Sequence, residues 1–147
     1  MGQQQLLLIV LGVIIVGIAI AVGINMFTTS ASNANRDAVI NDLNNLAAQA
    51  QQWWRKPVEM GGGNRTFNGF HLDTRSSVNA NGVYRLSNSA STTPDAAPTG
   101  PDTNSVSGNP NPLYIIGWGI ETGRDGSKPV KVQATVYADS VRTLVVN

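Results

Sequence analysis

The sequence predicts an α+β protein in which a long N-terminal α-helix packs on a small C-terminal antiparallel β-sheet. Residues 1–27 form a mostly apolar segment without a charged side chain, and residues 28–56 continue with helical periodicity. The remainder carries the alternation and the turn signals of β-strands. We therefore divide the chain into an apolar half-helix (1–27), an amphipathic half-helix (28–56) and a β-rich head (57–147).

The apolar half-helix has the length of a membrane span. Residues 6–24 are Leu, Ile, Val, Ala and Gly only, and the first charged side chain of the protein is Arg36. At ~1.5 Å per residue this run makes roughly 28 Å of helix, close to the ~30 Å hydrocarbon core of a bilayer. Because the run is apolar on every side, it leaves no face for water.

Three roles are compatible with this half-helix. A cleaved secretory signal has a basic start and an apolar run of about 7–15 residues. This chain has no basic residue before its apolar run, and the run at residues 6–24 is longer than that. The other two are a signal anchor and a helix that leaves the membrane to pack against copies of itself. Gly12, Gly17 and Gly23 suit the last role, since glycine permits close helix contact and weakens a helix by ~1 kcal/mol. Glycine is also simply common in membrane spans.

Helical periodicity resumes after the apolar segment and predicts one helix to about Lys56, roughly 80 Å long. An apolar stripe with steps of four, three, four and three residues should pack on the head; it consists of Val39, Leu43, Leu46, Ala50 and Trp53. Trp53 lies ~40 Å of helix beyond the apolar run, too far for a membrane interfacial belt. Pro57 and the glycines at 61–63 end the pattern, and we interpret the glycine run as a hinge.

Four strands are predicted in the head, at 82–86, 113–120, 130–137 and 141–146. The third alternates Val130, Val132, Ala134 and Val136 with polar or larger residues, which predicts one buried face. Asp125-Gly126 and residues 138–140 are turn signals, so consecutive strands should pair antiparallel.

Residues 87–112 hold five of the seven prolines and almost no large apolar side chain, and we expect a surface loop that contributes little to the core. Its Ser91, Thr92 and Thr93 are candidate glycosylation positions by composition alone. Asn64 begins an N-glycosylation sequon, which we interpret as chance.

The sequence favours no enzyme, cofactor or metal. Cysteine is absent, the net charge is +1 and no nucleotide-binding or hydrolase motif occurs. The near-neutral charge also argues against a nucleic-acid partner. His71 with its neighbour Asp73 lacks a nucleophile motif. Asp125 and Asp139 are the only calcium candidates, and nothing in the sequence shows the six to eight ligands that calcium requires converging on them.

A charge-free apolar half-helix, an amphipathic continuation, a variable loop and a C-terminal antiparallel sheet together resemble the type IV pilin superfamily, which includes the pseudopilins of type II secretion systems. The resemblance covers the whole chain in architecture, but its sequence signal lies in residues 1–27. It implies a structural subunit held in the cytoplasmic membrane and then assembled with copies of itself into a cell-surface filament. The side chains expected in the filament core are Leu6, Leu7, Leu8, Ile9, Val10, Leu11, Ile14, Ile15, Ile18 and Ile20.

The resemblance also implies processing partners, namely a prepilin peptidase and the pilus assembly machinery. That peptidase removes a short basic leader, and the new first residue is N-methylated. Met1 would be this residue, which would explain the missing basic flank.

Two departures from the family pattern matter. Relatives usually carry Glu at the fifth mature position, where it neutralises the amino terminus of a neighbouring subunit. Gln5 can accept a hydrogen bond there but cannot offset the charge. Major pilins frequently carry a proline near position 22, where this chain has Val22. Any local unwinding of the helix would therefore have to occur at Gly12, Gly17 and Gly23. A minor pilin or pseudopilin, and a membrane-anchored binding domain that does not polymerise, remain alternatives.

Overall fold

The computed structural model describes residues 2–102 and 105–147, and it confirms the α+β class. A single helix, α1 (Gly2–Arg55), is 54 residues long. It is followed by a 3₁₀ turn (Val58–Met60), a short helix α2 (Thr74–Ser77) and four strands. The strands are β1 (Gly82–Ser87), β2 (Leu113–Thr122), β3 (Pro129–Val136) and β4 (Val141–Val145). The sequence had suggested only β structure beyond residue 64, so α2 was not predicted.

The strands form one antiparallel sheet in the order β1-β2-β3-β4. Its register places Val83 opposite Trp118 and Ile115 opposite Ala134, and Ala134 in turn opposite Thr143. Neighbouring strands in the chain are therefore neighbours in the sheet, as their short links predict. Only the β1–β2 link is long: these two strands are also neighbours in the sheet, but segment 88–112 joins them.

The amphipathic half of α1 lies across β2 and β3 and forms the core with them. The stripe residues Val39, Leu43 and Leu46 are buried against the sheet. Trp53 is half-buried, its Nε1 donates to the Asn68 carbonyl at 3.2 Å, and its ring meets Phe70 edge-on. Trp54, which does not belong to the stripe, also packs on this core.

Two glycines of β2 let the helix approach the sheet closely. A Cβ at Gly117 would lie 2.8 Å from Val39 Cγ1, and one at Gly119 would collide with Asn35 Oδ1. The Asn35 amide donates to the Asn81 carbonyl at 2.9 Å and accepts from the Glu121 N–H at 3.3 Å. Glycine in a strand interior often marks such close backbone approach, and here it seats α1 where the helix enters the head.

The interpretation of residues 61–63 as a hinge is wrong. The N–H of Gly63 donates to the Trp53 carbonyl at 2.8 Å, and the next two residues donate to the carbonyls of Lys56 and Trp54. The last carbonyls of a helix have no partner within the helix itself. Residues 63–65 fold back to satisfy them, so this segment fastens the end of α1 to the head instead of loosening it.

Two further predictions are wrong in part: that residues 87–112 form a surface loop with little core contact, and that β3 has one buried face. Lys131 is 0% exposed and Gln133 is 3% exposed, although both lie on the face of β3 that α1 does not cover. The cause is a strap (residues 91–95) that crosses this face. The Ser91 N–H donates to Gln133 Oε1 at 2.6 Å. Further along the same segment, Val106 is buried in the core.

Candidate functional site

The N-terminal part of α1 projects from the head without cover. Buried residues of the helix begin at Asn35, and residues 2–34 are exposed or half-exposed. At ~1.5 Å per residue this projecting part (residues 2–34), which we call the rod, is roughly 50 Å long. The first charged residue, Arg36, follows directly, so the projecting part and the charge-free part of the chain coincide.

The projecting helix exposes large apolar side chains around its whole circumference. The ten side chains expected in a filament core are 53–70% exposed, and Phe27 is 80% exposed. Soluble monomers rarely expose contiguous apolar patches of this kind, and larger patches mark a protein or membrane contact. By length and composition the helix can cross a membrane.

The three glycines of the projecting helix lie within an unbroken α-helix. A Cβ at Gly12, Gly17 or Gly23 would meet no other group within 4 Å, so these positions form small notches in an otherwise bulky apolar rod. Such notches allow the backbones of neighbouring helices to approach. Their role in local melting remains a prediction about an assembled state.

The N-terminal tip of the helix carries polar side chains without charge, the glutamines at 3–5. Gln5 is exposed in the first turns, where no acidic residue occurs. The N-terminus of a helix carries roughly half a positive charge that an acidic side chain would offset, and glutamine leaves it uncompensated. Met1, the predicted processing residue, lies outside the described residues.

A latch at Asp42 ties the base of this rod to the head. Asp42 Oδ2 accepts hydrogen bonds from Tyr84 Oη at 2.7 Å, Asn81 Nδ2 at 2.8 Å and Asn79 Nδ2 at 2.9 Å. Burial raises the pKa of Asp42, but these three donors outweigh it and hold the pKa below its ordinary value. Burial and the Asp42 carboxylate raise the pKa of Tyr84. With three donors in place, the carboxylate acts as a structural acceptor.

The other candidate residues of the head are engaged in local structure. His71 Nδ1 lies 3.3 Å from the Gly69 carbonyl oxygen, and its ring meets Trp53 edge-on. Asp125 accepts from the backbone N–H groups of Lys128 and Ser127, which lower its pKa to about 2. Among residues 2–102 and 105–147, no three His, Asp or Glu side chains gather into a group that could hold a metal.

The glycosylation candidates differ in their surroundings. The Ser91 hydroxyl accepts a hydrogen bond from Lys131 Nζ at 2.7 Å, whereas Thr92 and Thr93 are exposed. Sequence reasoning missed the Asp42 latch, because its partners lie about 40 residues away along the chain and share no motif with it.

The exposed rod is thus the candidate functional surface, and its base is packed on the head. No family model matches this sequence, and neither a curated protein nor a solved structure matches the chain. Function is therefore inferred from what the rod and the head can do physically.

Proposed function

We propose that this protein is a structural subunit of an extracellular type IV pilus-like filament, which polymerises through its N-terminal helix. The observation that carries the proposal is the charge-free rod, roughly 50 Å long, whose residues 6–24 are wholly apolar and which continues without a break into the core of the head. Each large apolar side chain removed from water contributes about 1.5–3 kcal/mol. Ten such side chains therefore make exposure of the rod to water strongly unfavourable.

Two environments relieve that exposure, and both are apolar. Lipid covers the rod while the subunit waits in the cytoplasmic membrane, and the rods of other copies cover it in the filament. Because one apolar environment replaces another, association depends on side-chain packing and on small residues more than on a hydrophobic gain. The notches at Gly12, Gly17 and Gly23 suit this exchange.

The rigid connection to the head supports a filament role over that of a flexible anchor. A binding domain on a tether gains reach from a mobile linker. Here the rod and the packed stripe belong to one helix without proline. Moving the rod therefore moves the head, and a helical array of rods would place the heads in an ordered outer layer.

A second candidate is a minor pilin or pseudopilin of a type II secretion-like system. Gln5 favours it, because a subunit that starts a filament has no earlier neighbour whose amino terminus it must neutralise. Abundance separates the two, since a major subunit would dominate sheared surface material whereas a minor one would be scarce.

The test is electron microscopy and N-terminal mass spectrometry of material sheared from the surface of cells that express the protein. We expect filaments with this protein as the main component and an N-methylated Met1, produced by a prepilin peptidase. Filaments that lack the protein and stay normal after its deletion would exclude the major-subunit role. A chain that stays in the membrane fraction with an unmodified N-terminus would instead indicate an anchored binding domain.

A further inference from the structure

A groove opens on the face of the sheet that α1 does not cover, beside the strap. It has a volume of about 490 Å³, its floor consists of residues of β2, β3 and β4, and Ala90 and Thr92 line one side. We call it the sheet groove. It lies in the head, away from the rod, so the packing of rods in a filament does not use it.

The register of the strands places the floor side chains around Thr135. Thr135 pairs with Tyr114 of β2 on one side and with Arg142 of β4 on the other, so these two residues lie about 10 Å apart across two strand spacings. Gln133 and Tyr137 precede and follow Thr135 by two residues on β3, and alternate residues of a strand share a face. The residues between them are buried in the core with α1, so these five side chains face away from the helix.

The polar side chains of the floor are not committed to other contacts. Within the described part of the chain, the hydroxyls of Tyr114, Thr135 and Tyr137 make no hydrogen bond, and the guanidinium of Arg142 makes neither a hydrogen bond nor an ion pair. Arg142 is exposed and both tyrosines are half-buried. The sheet groove therefore gathers donors and acceptors that the fold itself does not use.

The side of the sheet groove is held in place before any ligand arrives. The Ser91 N–H donates to Gln133 Oε1 at 2.6 Å, and the Ser91 hydroxyl accepts from Lys131 Nζ at 2.7 Å. The strap is thus tied to β3 next to Thr92. A site that is formed on rigid elements loses less conformational entropy when it binds.

The sheet groove carries one positive charge. Among the residues that line it, Arg142 is the charged one. Asp139 in the β3–β4 turn is the carboxylate that precedes it most closely in the chain, and it forms no ion pair with Arg142 within the described residues. A guanidinium presents a planar fork that holds a carboxylate by two parallel hydrogen bonds. This charge therefore favours a ligand that carries a carboxylate.

The rest of the lining fits a saccharide. A tyrosine offers an apolar ring face and a hydroxyl, and threonine and glutamine offer short donors and acceptors. A sugar ring has the matching combination, C–H faces between hydroxyls that both donate and accept. The floor runs about 13 Å along β3 from Gln133 to Tyr137, which gives room for more than one ring. A lone acidic side chain of a peptide would pair with Arg142 and leave the other hydroxyls unused.

We propose that the sheet groove binds an acidic saccharide, one that contains a uronic or sialic acid. Its carboxylate meets Arg142, and its rings lie against Tyr114 and Tyr137. This assignment goes beyond the proposed filament function, because it gives the head a ligand of its own and a single subunit is sufficient to bind it.

A glycan array tests the site on the full chain, solubilised in a detergent without a sugar headgroup. We expect glycans with a uronic or sialic acid to be retained, and the same glycans with the carboxylate esterified to bind about tenfold more weakly, because a charge-assisted pair of hydrogen bonds is lost. Arg142→Ala should weaken retention equally, and Arg142→Lys should restore only part of it, since an ammonium lacks the fork. Arg75→Ala is the matched control, because Arg75 is exposed on α2, outside the groove.

Two further measurements separate a saccharide from an acidic peptide. Tyr114→Phe removes one hydroxyl and keeps the ring, and it should weaken retention about threefold. Triglutamate, added as a competitor at the concentration of the glycan, should not displace it. Displacement by triglutamate, equal retention of acidic and esterified glycans, or retention of none would overturn the proposal. Because the assay uses single subunits in micelles, its outcome is independent of whether filaments form.

Discussion

At the scale of single residues, the Asp42 latch holds α1 to the head through one carboxylate oxygen. Tyr84, one of its three donors, is fully buried. A buried hydroxyl that loses its acceptor carries the full cost of desolvation. The latch therefore adds three hydrogen bonds at one residue to the other polar contacts of the helix–head junction, such as those of Asn35.

Replacing Asp42 should destabilise the head. We expect Asp42→Ala to lower the free energy of unfolding of the full chain in detergent by about 1–3 kcal/mol, because it leaves Tyr84 without its acceptor. Thermal or urea unfolding followed by tryptophan fluorescence measures this. Asp37→Ala is the matched control, since Asp37 is exposed on the same helix. An equal loss in both variants would contradict a specific role for the latch.

The latch also predicts the pH dependence of stability. The pKa of Asp42 is lower in the folded than in the unfolded chain, so its contribution is present above about pH 4 and is lost as pH falls further. The pKa of Tyr84 is raised, so its contribution is present below about pH 10 and is lost above it. The free energy of unfolding of the wild type should fall at both extremes of pH, and Asp42→Asn should make the fall on the acid side smaller, with Asp95 and Asp125 still contributing to it. An unchanged acid limb in that variant would refute this assignment.

Gln5 offers a test at the tip of the rod. A glutamate there would offset the positive end of the helix and the amino terminus of a neighbour. If such pairing limits assembly, Gln5→Glu should increase the yield of sheared filaments, with Gln4→Glu as the control at an adjacent position. An unchanged yield would show that the subunits align by other contacts.

At the scale of elements, the strap is held by an unusual buried lysine. Lys131 Nζ donates to Asp95 Oδ1 at 2.7 Å and to the Thr93 carbonyl at 2.9 Å, and it lies 5.1 Å from the centre of the Trp118 ring. Trp118 Nε1 also donates to Asp95 Oδ1 at 2.7 Å. One carboxylate thus joins the strap to both β2 and β3.

Removing that carboxylate should release the strap. We expect Asp95→Ala to lower the free energy of unfolding by about 2 kcal/mol, less than the ~3–5 kcal/mol for a fully buried pair, because the Asp95 side chain is 49% exposed. Amide hydrogen exchange should rise in residues 91–95 before the rest of the head. Asp139→Ala, in the exposed β3–β4 turn, is the control. Unchanged exchange in the strap would contradict this role of Asp95.

The strands and the strap show where sequence patterns succeed and fail. Each predicted strand begins and ends within two residues of the observed one, because alternation and turn residues act locally. The covering of Lys131 could not be predicted, since its partners lie 36 to 40 residues earlier in a segment without periodicity. A lysine in an alternating strand normally indicates the solvent face.

At the scale of the whole molecule, the chain divides into a rod without charged side chains and a remainder, residues 36–147, that carries all of them. Residues 6–24 of the rod are apolar on all sides, whereas the large apolar side chains of the remainder are mostly buried in the core. The same kind of substitution should therefore act differently in the two parts.

A matched pair of substitutions tests this division. Ile15→Arg places a charge in the middle of the apolar run, where insertion of arginine at a bilayer centre costs roughly 2.5–3.5 kcal/mol, and it should reduce both membrane retention and filament yield. Leu144→Arg, on the exposed edge strand β4, should leave both unchanged, since Leu144 is 49% exposed in the head. Fractionation of cells and quantification of sheared filaments measure the two effects. Equal behaviour of the variants would count against the rod as the assembly surface.

The sequence by itself determined the long helix, its apolar and amphipathic halves and the four strands, because periodicity and turn chemistry act over a few residues. Only the tertiary structure decided what depends on more distant partners: the strap over Lys131, the cap that residues 63–65 place on the end of α1, and the Asp42 latch. Long-range contacts of this kind follow from the packing of whole elements, and no local pattern encodes them.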